Sequence, residues 1–312
     1  MSLTNRKLIK GYFLELFYYR GVEPNFGDEL NHWMWPQLIK DCWDDQDNLL
    51  FVGIGSVLES KLPKDKLKIV FGAGYGGYRP PPKLDENWKV FFVRGKKTAE
   101  ALGIDKSYGI GDSAILLRSF FKGQLDKKYP ISFMPHWKSL TFGNWELAAK
   151  HAGMHFIDPR QDVELIIEQI LSSRLIVSEA MHGVIVADAL RVPWVPLEPI
   201  DSLNRMKWHD WASALNLNIE LQKLSPSSLP EKIANFVDAH NLGNAKKTRK
   251  KTRCLKGVFE NFFAEQAAER LSNICQLNPS LSKDSDIELS HERMQEKLHE
   301  LLRYLGKGKV VL

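Results

Sequence analysis

The stretch "RLIVSEAMHGVIVADALRVPWVPL", residues 174–197, decides the fold. Leu175-Ile176-Val177 is a short unbroken apolar run, the pattern of a strand buried on both faces. Val184 to Leu190 has the apolar spacing of a packed helix, and "PWVPL" (193–197) is a second strand. Strand, helix, strand in that order builds a parallel sheet with helices on its faces. Where the first strand yields to the helix stands His182, with Glu179 beside it and Gly183 behind it, the glycine allowing a sharp turn.

The same alternation extends outward. Strands are expected at 131–136 and 154–158, with a helix from Asp162 to Ser172. Nearer the N-terminus come strands at 12–18, 49–54, 67–73 and 88–93, a shorter one at 107–111, and helices at 28–42 and 96–103. The polar segment 121–130 ends in proline and reads as a linker. The expectation is an α/β protein with two Rossmann-like domains facing a cleft, 1–122 and 130–244. From Ala245 the character changes. "KKTRKKTRCLK" (246–256) is a basic run, and a helical pattern follows it. In 286–305, Ile287, Met294, Leu298, Leu301 and Leu305 form one helical stripe. Residues 245–312 are therefore expected to form a basic, helical C-terminal extension.

Composition narrows the class. Of 312 residues, 44% are hydrophobic and 26% charged, the balance of a globular protein rather than a disordered one. Cys42, Cys254 and Cys275 are far apart and odd in number, which argues for a reducing compartment. The N-terminal apolar stretch is interrupted by Glu15, lacks a small-residue cleavage site and reads as a core strand. No run reaches the length of a membrane span, so a cytoplasmic protein is expected. The net charge of +5 admits an anionic substrate or a membrane surface and does not call for nucleic acid. The basic run is either a solvated face or a peripheral contact with anionic lipid headgroups at the inner membrane face.

In an open α/β sheet, ligands bind beyond the carboxyl ends of the strands. After the first strand, Asn25 can point into the cleft or close the turn, Gly27 allows a tight turn and Asp28 is the expected N-cap of the next helix, able also to hold a hydroxyl. After the second, Ser56 and glycine amides offer an anion-accepting turn. Gly72, Gly74 and Gly77 have dinucleotide-motif spacing, but prolines rather than a helix follow, so a dinucleotide site is rejected. Arg94 leaves the fourth strand ahead of a helix and is a candidate clamp for a carboxylate or phosphate. Asp112 sits at a glycine turn as a cap or a cleft residue. Beyond the strands of the second domain come His136, Arg160, Glu179 and His182. Each of these also has an ordinary structural reading. Metal motifs, the serine-hydrolase elbow and the phosphate-binding P-loop are missing from the sequence.

"NFGDELN" (25–31), "VRGKKT" (93–98), "GIGDSAILL" (109–117), "PHW" (135–137) and above all "SEAMHGVIVADALRVPWVPL" (178–197) resemble the polysaccharide pyruvyl transferase family, in its bacterial exopolysaccharide-type branch. The resemblance implies two domains arranged as in GT-B glycosyltransferases. It implies transfer of pyruvate from phosphoenolpyruvate to a sugar, as a ketal bridging two hydroxyls, with release of phosphate. The acceptor would be a lipid-linked or nucleotide-linked glycan precursor. Such chemistry calls for general acid and base groups and no cofactor, phosphoenolpyruvate being the donor substrate. On this reading His182 gives or takes the proton and Glu179 orients it. Asp28 and Asn25 hold sugar hydroxyls, Arg94 and Arg160 hold the donor, and His136 is a second acid–base candidate. Many relatives carry Arg-Leu-His where this chain has Ala180-Met181-His182, so another cation, Arg94, Arg160 or Arg174, must take over from that arginine. The competing readings are a GT-B-type glycosyltransferase using a nucleotide sugar, and an inactive glycan-binding relative.

Overall fold

The computed structural model describes residues 14–43, 49–121, 125–198 and 205–306. The start of the first expected strand and residues 122–124 of the expected linker lie outside them. Two four-stranded sheets carry the described chain. The first contains β1 (Glu15–Phe17), β2 (Leu49–Val52), β3 (Leu67–Phe71) and β4 (Trp88–Phe92), paired in chain order and parallel throughout. The second contains β5 (Ser132–Met134), β6 (His155–Phe156), β7 (Ile176–Ser178) and β8 (Trp194–Pro196), in the order β6-β5-β7-β8 and again parallel. All residues of β2, β5, β7 and β8 are buried, as strands covered on both faces require.

Helices α1 (Phe26–Leu38), α2 (Lys96–Ala101), α3 (Ser139–Phe142), α4 (Trp145–His151), α5 (Val163–Leu171) and α6 (Met181–Ala189) follow strands of the two sheets. Three boundaries depart from the sequence expectation. The 107–111 stretch is not a strand: Lys106–Tyr108 forms a 3-10 turn capped by Asp105, whose carboxylate accepts from the Ser107 amide. That local bond outcompetes an extended run, and a single bridge joins Val93 to Gly109. Helix α1 starts at Phe26 with Asn25 as its N-cap, so Asp28 is not the cap but lies in the first turn. Helix α6 starts at Met181, which puts His182 inside its first turn rather than ahead of it.

The C-terminal helices are built into the core. After α7 (Arg205–Ala214), α8 (Leu229–Ala239) and α9 (Ala245–Lys251), helix α10 (Glu260–Ile274) packs on α4 beside the second sheet. Helix α11 (Asp284–Tyr304) packs on the 3-10 segment Ser113–Ser119 and on β4. Ile287, Met294, Leu298, Leu301 and Leu305, the stripe expected from periodicity, are all buried. Between these helices Ser280 pairs its backbone with Trp194 of β8, and Asp188 of α6 accepts from the Ser282 amide and hydroxyl.

Candidate active site

A cavity of about 600 Å³ opens at the carboxyl ends of the strands. The segment after β1 supplies Tyr19, Asn25 and Asp28, and that after β2 supplies Ser56. The segment after β3 adds Tyr78 and Arg79, and that after β5 adds His136, Trp137 and Lys138. The turn after β7 gives Met181 and His182, and Lys207 and Lys246 enter from α7 and α9. Of the residues singled out in the sequence, Asn25, Asp28, Ser56, His136 and His182 thus share one cavity.

His182 is held from two sides. Its Nε2 is sealed from solvent and lies 3.6 Å from Oδ2 of Asp112, and neither atom has a hydrogen-bond partner among the described residues. The other Asp112 oxygen caps the 3-10 segment by accepting from the Ala114 amide at 3.0 Å. Burial alone would raise the Asp112 carboxyl. The charge and hydrogen-bonding capacity of His182, the Ala114 amide and the Arg94 charge reverse that and hold it below its ordinary range. On the opposite side the His182 ring lies against Gly27, where a Cβ would come 2.0 Å from Nδ1. Gly27 is therefore needed for the approach of the ring, not for a tight turn. Gly183 has a similar role: a Cβ there would meet Ser178 Oγ at 2.6 Å and Met134 Sδ at 2.7 Å. It lets α6 seat closely against the ends of β5 and β7, and has no left-handed backbone.

The carboxylate facing His182 is thus Asp112 and not the expected Glu179. Glu179 is buried and turns the other way. Its Oε2 accepts from the His136 amide at 2.9 Å and from Ser139 Oγ at 2.7 Å, which fixes the turn that presents His136 and Trp137. His136 is pushed well below the ordinary imidazole range by burial and by the charges of Lys207 and Lys138, so its ring is neutral.

Asp28 faces the same space. Asn25 Nδ2 donates to its Oδ2 at 2.7 Å, and burial raises its carboxyl despite that bond and the nearby His182 and Lys207. The rest of "NFGDELN" locks the helix in place. Asn31 donates to the Ile54 carbonyl at 3.0 Å and accepts from the Ile54 amide at 2.9 Å, tying α1 to the end of β2. The Phe26 amide donates to the Pro159 carbonyl at 2.8 Å, tying the start of α1 to the segment after β6.

The two arginines expected to hold an anion are engaged elsewhere. Arg94 is fully buried: Nε donates to Asp210 Oδ2 at 2.9 Å, Nη1 to Ser56 Oγ at 2.6 Å and Nη2 to the Tyr75 carbonyl at 2.9 Å. Asp210 also accepts from the amide and hydroxyl of Thr98, so "VRGKKT" anchors α7 rather than meeting a ligand. Gly74 leaves the space the guanidinium fills, since a Cβ there would sit 2.2 Å from Arg94 Cζ. Arg160 grips Asp158 two residues back through Nε and Nη2 and does not line the cavity.

Among the lining cations that the sequence did not single out is Lys207. It lines the cavity and makes no hydrogen bond or ion pair with any described residue. Burial and the charges of Arg94 and Lys138 lower its ammonium to about 8, while Asp28 and Glu179 pull the other way. Helix α7 has no role assigned to it from sequence; it docks through the buried Trp208 and Trp211 and through Asp210, which binds Arg94 and Thr98. The cavity thus joins an ammonium with no hydrogen-bond or ion-pair partner among the described residues, a neutral histidine, a carboxylate-backed histidine and an aromatic wall.

The profile of a family described as Polysaccharide pyruvyl transferase matches residues 9–202. "Succinoglycan biosynthesis protein ExoV" of Rhizobium meliloti (strain 1021) is 38% identical over 219 residues, 69% of this chain and 69% of that protein. A solved structure of the wall teichoic acid polymerase TagF aligns over 94% of this chain and 90% of its own at 9% identity, with a TM-score of 0.32, too low a likeness to bear on the fold.

Proposed function

The chain belongs to the polysaccharide pyruvyl transferase family and is a transferase, and from that premise we propose that it moves pyruvate from phosphoenolpyruvate to a sugar of an exopolysaccharide precursor. The two sheets are then the cores of two Rossmann-like domains, 1–122 and 130–244, facing one another in the GT-B manner, with helices α10 and α11 of 245–312 packed onto them rather than forming a separate extension. The methylene carbon of the donor takes a proton and leaves an oxocarbenium-like centre at the adjacent carbon. One sugar hydroxyl adds there and loses its proton. The C–O bond to phosphate breaks, and the second hydroxyl closes the ketal. Of the two hydroxyl protons, one is balanced in the new methyl group and the other leaves with phosphate.

The observation that carries this reading is His182, backed by Asp112 and open to a cavity that also holds Lys207, an ammonium with no ion-pair partner among the described residues. His182 exchanges the proton. Lys207, with Lys138 beside it and the first turn of α6, holds the anionic groups of the donor in place of the arginine absent at Ala180. Asp28 and Asn25 hold acceptor hydroxyls, and Tyr19, Tyr78 and Trp137 give the sugar apolar faces to lie on. The acceptor is a lipid-linked or nucleotide-linked sugar.

Phosphate release from phosphoenolpyruvate, with and without a panel of such sugars, tests the reading. Acceptor-dependent release that falls by roughly two to four orders of magnitude in His182→Gln is expected. No release with any acceptor, together with no thermal shift by phosphoenolpyruvate, would overturn it in favour of a nucleotide-sugar enzyme or a glycan-binding relative.

A further inference from the structure

Segment 236–262 pairs unshielded charge with unshielded apolar side chains. Lys246, Lys247, Lys250, Lys251 and Arg253 are exposed, and none makes an ion pair with a described residue. Arg249, by contrast, turns inward and is buried. On the same segment Leu242 is 66% exposed, Phe259 72%, and Phe236 and Phe262 55% each. The segment is anchored: α8 packs on α9, and the 3-10 turn Arg253–Leu255 touches both. Lys256 Nζ donates to the Leu140 carbonyl at 2.9 Å, and Asn144 Nδ2 donates to the Lys256 carbonyl at 3.1 Å. Phe259 also holds a left-handed backbone, φ 53°, just ahead of α10. A phenylalanine there incurs strain that a glycine would avoid, without gaining burial.

We infer that segment 236–262 is a membrane-docking surface that seats on an anionic phospholipid face, its lysines on the headgroups and Leu242, Phe259 and Phe262 entering the headgroup–acyl boundary. Interfacial binding of this kind sums buried apolar area and attraction to anionic lipid. Charge complementarity selects the occupant. A protein partner is disfavoured because the cores of protein interfaces are depleted of lysine. A nucleic acid would find stacking faces on the phenylalanines but no use for Leu242 or Val258, which is 37% exposed. Lys246 is shared between this surface and the cavity rim, so docking brings the cavity mouth to the bilayer. The inference stands whether or not the chain transfers pyruvate, since it uses no catalytic group.

Co-sedimentation of the full chain with phosphatidylcholine vesicles, with and without a third of phosphatidylglycerol, tests it at low and high salt. The wild type is expected to pellet with the anionic vesicles and to release at high salt. Phe259→Ser/Phe262→Ser is expected to weaken binding by roughly tenfold or more at an unchanged melting temperature, and Lys247→Glu/Lys250→Glu to abolish the preference for anionic lipid. A wild type that stays in the supernatant with both vesicles would overturn the inference. So would a phenylalanine variant that binds like the wild type. If vesicle binding is nil and the phenylalanine variant instead turns a dimer into a monomer, the surface is a self-interface.

Discussion

His182 Nε2 and Asp112 Oδ2 face each other at 3.6 Å inside the protein, and neither has a hydrogen-bond partner among the described residues. In the proposed mechanism this carboxylate favours the tautomer with its proton on Nε2 and leaves Nδ1, on the Gly27 side of the ring, to exchange the proton. The carboxylate also stabilises the imidazolium once Nδ1 has taken a proton.

Asp112→Asn keeps an oxygen for the Ala114 amide and loses the charge behind His182. Turnover is expected to fall by roughly two to four orders of magnitude, as when a triad carboxylate is neutralised, with the KM for phosphoenolpyruvate nearly unchanged. Asp112 acts through His182, so the rate profile of the residual activity should also shift towards lower pH on its acid side. A lost rate with an unmoved profile would reduce Asp112 to a turn cap.

Gly27→Ala tests the seat of His182. A methyl group 2.0 Å from His182 Nδ1 must displace the ring, and displacement of a reacting group by about an ångström costs on the order of a hundredfold in rate. Alanine is the better helix former by up to about 1 kcal/mol, but overpacking a buried site costs about 1–3 kcal/mol. The expected result is a folded variant that melts somewhat lower than the wild type and turns over roughly a hundredfold more slowly.

If Lys207 holds the donor as proposed, it sets a pH limit on binding. Its ammonium, lowered to about 8, is charged below that value and neutral above it. Affinity for phosphoenolpyruvate should hold below pH 8 and decline above it, approaching roughly tenfold per pH unit. Bound anion raises the lysine, so the decline is expected to be later in turnover at saturation than in kcat/KM. Lys207→Arg, charged throughout, should flatten the decline, and Lys207→Met should raise KM at every pH. A KM independent of pH between 7 and 9 would remove Lys207 from the donor site.

The strand ends were legible because unbroken apolar runs mark buried parallel strands, and the turn residues between them follow by position alone. That is how Asn25, Asp28, Ser56, His136 and His182 could be assembled before any contact was known. What failed was partner choice. Arg94 has the position and chemistry of an anion clamp, yet Asp210, far along the chain, neutralises it. Glu179 adjoins His182 in sequence, but the turn sends its carboxylate under His136 while Asp112 arrives from the start of the 3-10 segment Ser113–Ser119, far up the chain. Lys207 carried no local signal, because its burial depends on α7 docking against α2. Periodicity reports which face of an element is covered; it says nothing of which element covers it.

That distinction gives Arg94 an outcome opposite to the one its sequence position suggests. If it held the donor, Arg94→Met would raise KM and leave stability alone. In the structure the side chains of Arg94 and Asp210 are both 0% exposed, and Asp210 would be left as a buried charge supported only by Thr98. Breaking such a pair by removing one partner costs about 3–5 kcal/mol. Arg94→Met should therefore unfold at markedly lower denaturant, while Arg94→Met/Asp210→Leu, which removes both charges, should recover part of that loss. Because α7 carries Lys207, the single variant is also expected to weaken phosphoenolpyruvate binding through the loosened helix, and the double variant to recover it only as far as α7 re-docks. A single variant with wild-type stability and a raised KM would return Arg94 to the donor site.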